Sequence, residues 1–336
     1  MFRRQAEDFE ELGSPIYARL AERLAQDPSP ADTILGDDEG WDAALRLFGA
    51  VHYLVLSGVA PDALTGEWDT FAGALAAHAD ALRARAREHG VQTNEVQRCV
   101  ALLPAFLTVA AETALPIELV ELGPSAGLNL LADRYRYRYA NGTWGPDAAR
   151  LELAGVERDG RVPAALLERP LDIRRRRGID LAPIDATTED GYLVLRSFVW
   201  PGREDRVRRL DAAVETLREA PDRPELIAGD YVELLPAVLA ARPEDAVTLV
   251  FQTASTGYLP PEAAARLRRT LDEAGADGRP LAWVSTRRRD EREGAPDAHE
   301  LLLEHYELEL RVWPGSARLA ARLDFHGNWL DWCLPS

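Results

Sequence analysis

Val120-Glu121-Leu122-Gly123-Pro124-Ser125-Ala126-Gly127-Leu128-Asn129 is the stretch on which the reading of this chain turns. Ile117-Glu118-Leu119 precedes it, so an apolar run of strand length ends in an acid and breaks at glycine. The pattern predicts a strand over 117–122, a tight turn, and a helix over about 127–134. Beyond it, strand-like runs at 225–228, 247–252 and 281–285 are each succeeded by helical sequence, at 231–241, 261–274 and 298–305. Such alternation predicts an α/β sheet with mostly parallel strands. Residues 135–222 are less regular and read as an insertion. They carry the aromatic-basic stretch Tyr135, Tyr137 and Tyr139, short strands near Leu151 and Leu171, and a helix over 205–219.

The two flanks of the chain complete the outline. Near the C-terminus, Leu308, Leu310 and Val312 alternate with Glu307, Glu309 and Arg311, and Pro314-Gly315-Ser316 comes next. Leu319, Ala321 and Leu323 then alternate with Arg318, Ala320 and Arg322. This predicts an antiparallel hairpin with one buried face and Glu–Arg pairs across the other. Residues 1–114 show no such alternation and read as helices. Ser14-Pro15 looks like an N-cap with proline at the first helical position. Apolar residues recur at helical spacing over 41–56 and 68–87, and the all-round apolar run 93–113 predicts a buried helix. The expected organisation is a helical domain over 1–114 and an α/β domain over 115–336.

Composition narrows the partners. The 336 residues are 46% hydrophobic and 28% charged, as in a globular protein with a sizeable core. The 39 basic residues against 56 acidic give a formal charge of −17, which disfavours nucleic acid and anionic membrane as partners. Every basic residue is arginine, so a lysine Schiff base or lysine general base is excluded. The opening MFRRQAEDFEELG lacks the apolar region of a secretory signal. The apolar run 99–111 contains Pro104 and falls short of the ~20 residues of a membrane span. Cys99 and Cys333 make no disulfide framework and no metal-ligand spacing. The expectation is a cytoplasmic protein with a small-molecule substrate.

Two chemistries compete for the glycine-rich loop. In the first, Gly123 makes the turn, Pro124, Ser125 and Ala126 carry backbone that a ligand approaches, and Gly127 packs the helix on the sheet. Free amides at the helix start would suit a carboxylate or phosphate, and Glu121 an ammonium or a ribose hydroxyl. Those demands fit S-adenosylmethionine, and the pattern resembles the first motif of class I S-adenosylmethionine-dependent methyltransferases. That resemblance implies a Rossmann-like sheet ending in an antiparallel pair. In the second, Gly123-Pro124-Ser125-Ala126-Gly127 matches the G-x-S-x-G nucleophile elbow of serine hydrolases. Ser125 would then be the nucleophile, His326 the base and Asp297 the acid. Only helices precede the loop, and a hydrolase has no need of Glu121; both points favour the first reading. Tight packing with no ligand is the third.

Further polar groups are expected at the ends of later strands. Asp180, in Gly178-Ile179-Asp180, resembles the ribose-binding acid of a second methyltransferase strand. Its alternative is a turn residue. Asp230 and Tyr231 resemble an adenine-contacting segment, although Asp230 also suits a helix N-cap. Gln252, Thr253 and Ser255 sit at the mouth of the 247–252 strand, with Tyr258 nearby. Tyr258 and His326 are the candidate catalytic residues, His326 alternatively a structural member of an aromatic tail with Trp329 and Trp332. His299-Glu300 and Glu304-His305 miss the helical H-E-x-x-H spacing, so no metal is expected. Arg174 to Arg177 and Arg287 to Arg289 read as solvated. A full catalytic set is not required, because the sulfonium methyl is already activated and alignment can lower the barrier by ~7–11 kcal/mol.

Glu121 to Leu130, the Asp180-Leu181-Ala182-Pro183-Ile184-Asp185 string, Trp200-Pro201 with Arg206, and His326-Gly327 with Trp329 also resemble a bacterial family of unknown function. The resemblance spans nearly the whole chain and implies a methyltransferase-like core without an established activity. Ser125 stands where most methyltransferases carry glycine.

Overall fold

The computed structural model describes residues 1–38, 40–88, 90–288 and 306–335. The expected helix over 298–305, Asp297, Arg289 and the pairs His299-Glu300 and Glu304-His305 lie outside the described residues. The chain divides into two compact units, Met1–Thr93 with Ile184–Asp211, and Asn94–Pro183 with Ala212–Ser336. Residues 94–113 therefore belong with the sheet, and 184–211 with the helices.

The first unit is helical, with Phe2–Glu11, Pro15–Gln26, Ser29–Leu35, Ala43–Leu56, Trp68–Ala77, Ala79–Glu88 and Glu189–Ser197. Its core gathers the apolar stripes of these amphipathic helices, Phe9, Leu20, Leu24, Leu47 and Phe71 among them. Phe9 meets Tyr17, Phe48 and Trp200 edge-on, at centroid distances of 5.0, 5.1 and 4.8 Å. Ser14 heads its helix but does not cap it. Its hydroxyl donates to the Pro201 carbonyl at 2.9 Å, and proline at the first position supplies the helical φ instead. The run 68–87 forms two helices that part at His78.

The second unit is a mixed α/β structure. Its strands are β1 (Ile117–Leu122), β2 (Arg136–Tyr139), β3 (Gly142–Trp144), β4 (Glu152–Ala154), β5 (Val156–Glu157), β6 (Ile173–Asp180), β7 (Glu225–Ala228), β8 (Val247–Gln252), β9 (Leu281–Arg288), β10 (Tyr306–Val312), β11 (Arg318–Leu323) and β12 (Trp329–Trp332). Among the described residues, nine form one sheet in the order β7-β6-β1-β8-β9-β10-β11-β12-β5, and β3-β2-β4 form a small second sheet. β7, β6, β1, β8 and β9 are parallel neighbours. The expected hairpin β10–β11 forms and continues into β12, so that side of the sheet is an antiparallel meander closed by β5. This order departs from the methyltransferase-type sheet that the sequence led us to expect. β6 also lies inside the stretch read as an insertion.

β6 corrects the solvated reading for Arg176 and Arg177, which are buried, while Arg174 and Arg175 are exposed as expected. Arg176 is bidentate to Asp133 at 2.7 and 2.8 Å and reaches Asp222 at 3.1 Å. Arg177 pairs with Glu118 at 3.0 Å, Arg174 with Asp245 at 2.8 Å and Arg175 with Glu225 at 2.7 Å. Arg287 pairs with Glu307 and Glu309 in the same way.

Helices cover both faces of the parallel strands. Val120, Leu122, Ile179 and Val250 pack with Leu235 and Leu239 of helix Tyr231–Ala240 and with Leu267 and Leu271 of helix Pro261–Gly275. Phe251 meets Phe106 of the buried helix Cys99–Thr113 at 5.1 Å. Side chains alternate along a strand, and Glu121 is the register partner of Phe251. Glu121 therefore faces Cys99–Thr113. The segment Val96–Thr113 is long and apolar enough to cross a membrane, and 72% of it is buried within the protein.

Candidate functional site

Chain order reverses direction between β1 and β8: β6 and β7 build to one side of β1, and β8 and β9 to the other. In open α/β sheets ligands bind outside the carboxyl ends of the strands at such a reversal. Glu121, the Gly123–Gly127 loop, Asp180, Asp230 and Gln252 all stand at carboxyl ends in this part of the sheet.

The loop leaving β1 is wound tightly. Gly123, Ser125 and Gly127 have φ of +71°, +54° and +74°, a left-handed conformation at every second residue. Glycine adopts it freely; Ser125 does so at a cost of about 1–3 kcal/mol. A Cβ on Gly123 would stand 2.5 Å from the Ser255 Cβ, and one on Gly178 2.5 Å from the Pro124 ring. Those two glycines let the loop lie between β6 and the segment after β8.

Most of the amides in and just after the loop are already engaged. Gly123 N–H donates to the Ile179 carbonyl at 2.9 Å, Ser125 N–H to Asp180 Oδ2 at 2.8 Å, and Gly127 N–H to the Pro124 carbonyl at 2.9 Å. Leu128 N–H donates to Asn94 Oδ1 at 3.2 Å. The chain then enters a 3-10 segment, Leu128–Arg134, with non-helical backbone at Leu131. At Ser125, Gly127 and Leu128 the expected free amides are therefore occupied, and side chains are further groups left for a ligand.

Glu121 is the most perturbed of these. It is buried, and Asn129 Nδ2 donates to its Oε1 at 3.1 Å while Oε2 has no partner among the described residues. The Cys99 thiol donates in turn to Asn129 Oδ1 at 3.4 Å. Burial pushes the Glu121 carboxyl up to about 8, and Asp180 adds to that, against the Asn129 hydrogen bond and the Arg98 charge. At neutral pH Glu121 is largely a protonated acid.

The remaining expected residues divide. Asp180 ends β6 with both oxygens occupied, Oδ1 accepting from Ala182 N–H at 2.9 Å. Asp230 caps helix Tyr231–Ala240, accepting from Val232 N–H at 2.7 Å. Tyr231 OH donates to the Ser255 carbonyl at 3.2 Å, and Ser255 Oγ to the Leu122 carbonyl at 2.6 Å, which ties the loop to β8. Gln252 is fully buried, with Nε2 donating to the Thr286 carbonyl at 2.7 Å and Oε1 unpartnered among the described residues. Tyr258 is exposed in a 3-10 turn. His326 is buried edge-on to Phe325 at 5.0 Å. Ser125 Oγ is buried and has no hydrogen-bond partner among the described residues, so no base reaches it here.

Arg98 was not legible as a site residue. It is buried, its Nε donates to the Phe325 carbonyl at 2.8 Å, and its Nη1 to Thr253 Oγ1 at 3.3 Å. Burial draws its proton affinity below the usual value. The available signal was a charged pair, Glu95 and Arg98, set against an otherwise apolar helix. Asn129, in the Ser-Ala-Gly-Leu-Asn string, is a second site residue that spacing alone does not mark.

A family described as "Uncharacterized protein conserved in bacteria (DUF2332)" matches residues 1–332. The chain belongs to that family. No curated protein matches the chain. In this DUF2332 chain the match runs through both units and includes Arg98, Glu121, Asn129 and Asp180.

Proposed function

We propose that this DUF2332 chain binds S-adenosylmethionine at the carboxyl ends of β1, β6 and β7 and methylates a small molecule. The observation that carries the reading is the reversal of chain order among the parallel strands, with acids at their carboxyl ends. The order of five parallel strands along the chain reverses between β1 and β8, and successive strands β1, β6 and β7 each have an acid within two residues of their carboxyl end: Glu121, Asp180 and Asp230. Beside Asp180, Leu181 is 77% exposed, an apolar face suited to a purine. The unpartnered Glu121 Oε2 and Ser125 Oγ supply buried polar atoms that a ligand would satisfy.

On this reading Asp180 holds ribose hydroxyls, Asp230 the adenine edge, and Glu121 the ammonium group, losing its proton as the cation arrives. The bound group supplies an electrophilic methyl on a sulfonium. The protein's part is to orient an acceptor and keep water out, with Tyr258 and His326 as candidates to take an acceptor proton. Calorimetry with S-adenosylhomocysteine tests this. We expect binding to wild type that is lost in Asp180→Ala and weakened in the surface variant Leu181→Glu. No binding to folded wild type sinks the proposal.

A serine hydrolase is the second reading, favoured by one observation: the left-handed backbone of Ser125 within G-x-S-x-G, as a strained elbow requires. A fluorophosphonate that labels Ser125 would support it. Neither binding nor labelling would leave a non-catalytic, methyltransferase-like binding protein.

A further inference from the structure

We propose that Arg98 anchors a carboxylate of the substrate, so that the methyl acceptor is a small organic acid; this rests on the reading of the site given above. Arg98 is 4% exposed, and its Nη2 has no partner among the described residues. The two oxygens it does reach, the Phe325 carbonyl and Thr253 Oγ1, are neutral. Its guanidinium lies 4.4 Å over the Phe325 ring, which fixes its plane.

A buried cation held only by neutral groups is costly, and such charges are normally paired. The position adds to the cost. Arg98 sits in the turn Val96–Arg98 that opens helix Cys99–Thr113, where the backbone dipole disfavours positive charge. Glu95 offsets part of this by capping that turn, its Oε1 accepting from Gln97 N–H at 3.1 Å. Glu121, the other nearby acid, is held protonated by its own burial. Glu95 thus offsets the charge only in part, and Arg98 Nη2 stays without a hydrogen-bond partner among the described residues.

The contact with Thr253 puts this guanidinium at the carboxyl end of β8, on the side of the sheet that Glu121 faces. That is the mouth of the β1/β8 reversal, where a ligand is expected. A guanidinium edge matches a carboxylate in shape and charge. A single negative charge balances Arg98, whereas the second charge of a phosphate dianion would be left uncompensated and would meet repulsion from Glu95.

The test is an NMR titration of the full chain with 13C-formate, which is too small to be excluded by shape, and with benzoate, benzamide and inorganic phosphate. We expect saturable binding of formate and benzoate, none of benzamide, and phosphate at least about 10-fold weaker than benzoate. Arg98→Met should weaken benzoate by about 10-fold or more, and Arg98→Lys by less. Because Arg98 also ties down the Phe325 carbonyl, Thr253→Val is the second variant, expected to keep native circular dichroism and weaken benzoate by about 3- to 10-fold. Absence of carboxylate binding to wild type overturns the proposal. So does unchanged benzoate affinity in folded Arg98→Met, or in Thr253→Val if Arg98→Met does not fold. Phosphate binding as tightly as benzoate overturns the choice of a carboxylate. A parallel S-adenosylhomocysteine titration separates the two ideas: carboxylate without nucleoside binding sinks the cofactor reading and keeps the Arg98 site, and nucleoside without carboxylate binding does the reverse.

Discussion

The Asp180 carboxylate accepts the Ser125 amide at 2.8 Å, and this bond fastens the end of β6 to the loop leaving β1. Its second oxygen holds the Ala182 amide at 2.9 Å, so one side chain sets the conformation of both segments. Asp180→Ala frees two amides and lets the loop relax. Urea denaturation should show a loss of about 1–3 kcal/mol. A variant as stable as wild type would mean that the loop is held elsewhere.

Glu121 gives a pH signature. Its folded pKa of about 8 lies above the ordinary value of 4.5, so between those limits the unfolded chain has lost a proton that the folded chain keeps. Stability therefore falls as pH rises through that window, by up to about 1.4 kcal/mol per unit from this group, and levels off above about 8. In Glu121→Gln that slope is removed, so the variant should gain on wild type from pH 5 to pH 8. Parallel stability curves for the two proteins would refute the assignment.

The same proton reports on the ligand. If an ammonium group binds beside Glu121, S-adenosylhomocysteine should release up to about one proton at pH 7, read as a dependence of calorimetric enthalpy on buffer ionisation. Binding with no buffer dependence would place the ammonium elsewhere.

Two glycines make a matched pair. Gly127 has φ +74°, and a Cβ there would meet Leu226 Cδ2 at 3.1 Å. Gly127→Ala should cost about 1–2 kcal/mol. Gly73, inside helix Trp68–Ala77, has open space, and Gly73→Ala should add about 0.5–1 kcal/mol. Thermal unfolding of both variants checks the contrast in sign.

The arginines of β6 separate buried from exposed pairing. The Arg176 side chain is 3% exposed, so Arg176→Ala removes the bidentate partner of Asp133, leaves only Arg134 beside Asp133 and Asp222, and should cost about 3 kcal/mol. Arg175 and Glu225 are 50% and 53% exposed, so Arg175→Ala should change stability by less than about 1 kcal/mol. Equal effects would show that burial does not govern these pairs.

What the sequence made legible was local. β1, its glycine turn and the β10–β11 hairpin are written in apolar spacing and turn residues that neighbours read directly. β6 was obscured because Arg176 and Arg177 look solvated until Asp133, Asp222 and Glu118 come in from distant parts of the chain. The loop amides misled for the same reason: Asp180 and Asn94, which occupy two of them, are 55 and 34 positions away. Arg98 looked like an ordinary polar start to an apolar helix, and only its lodging against Phe325 and Thr253 marks it out.

The tail that holds Arg98 also holds its neighbour: Gln97 Nε2 donates to the Gly327 carbonyl at 3.3 Å, and a Cβ on Gly327 would collide with the Gln97 carbonyl at 2.6 Å. Residues 325–327 thus act as a latch on a segment more than two hundred positions upstream. A protease nick in that turn would release the guanidinium without touching any strand of the parallel sheet, so the integrity of the last dozen residues is a precondition for judging any ligand experiment on this protein.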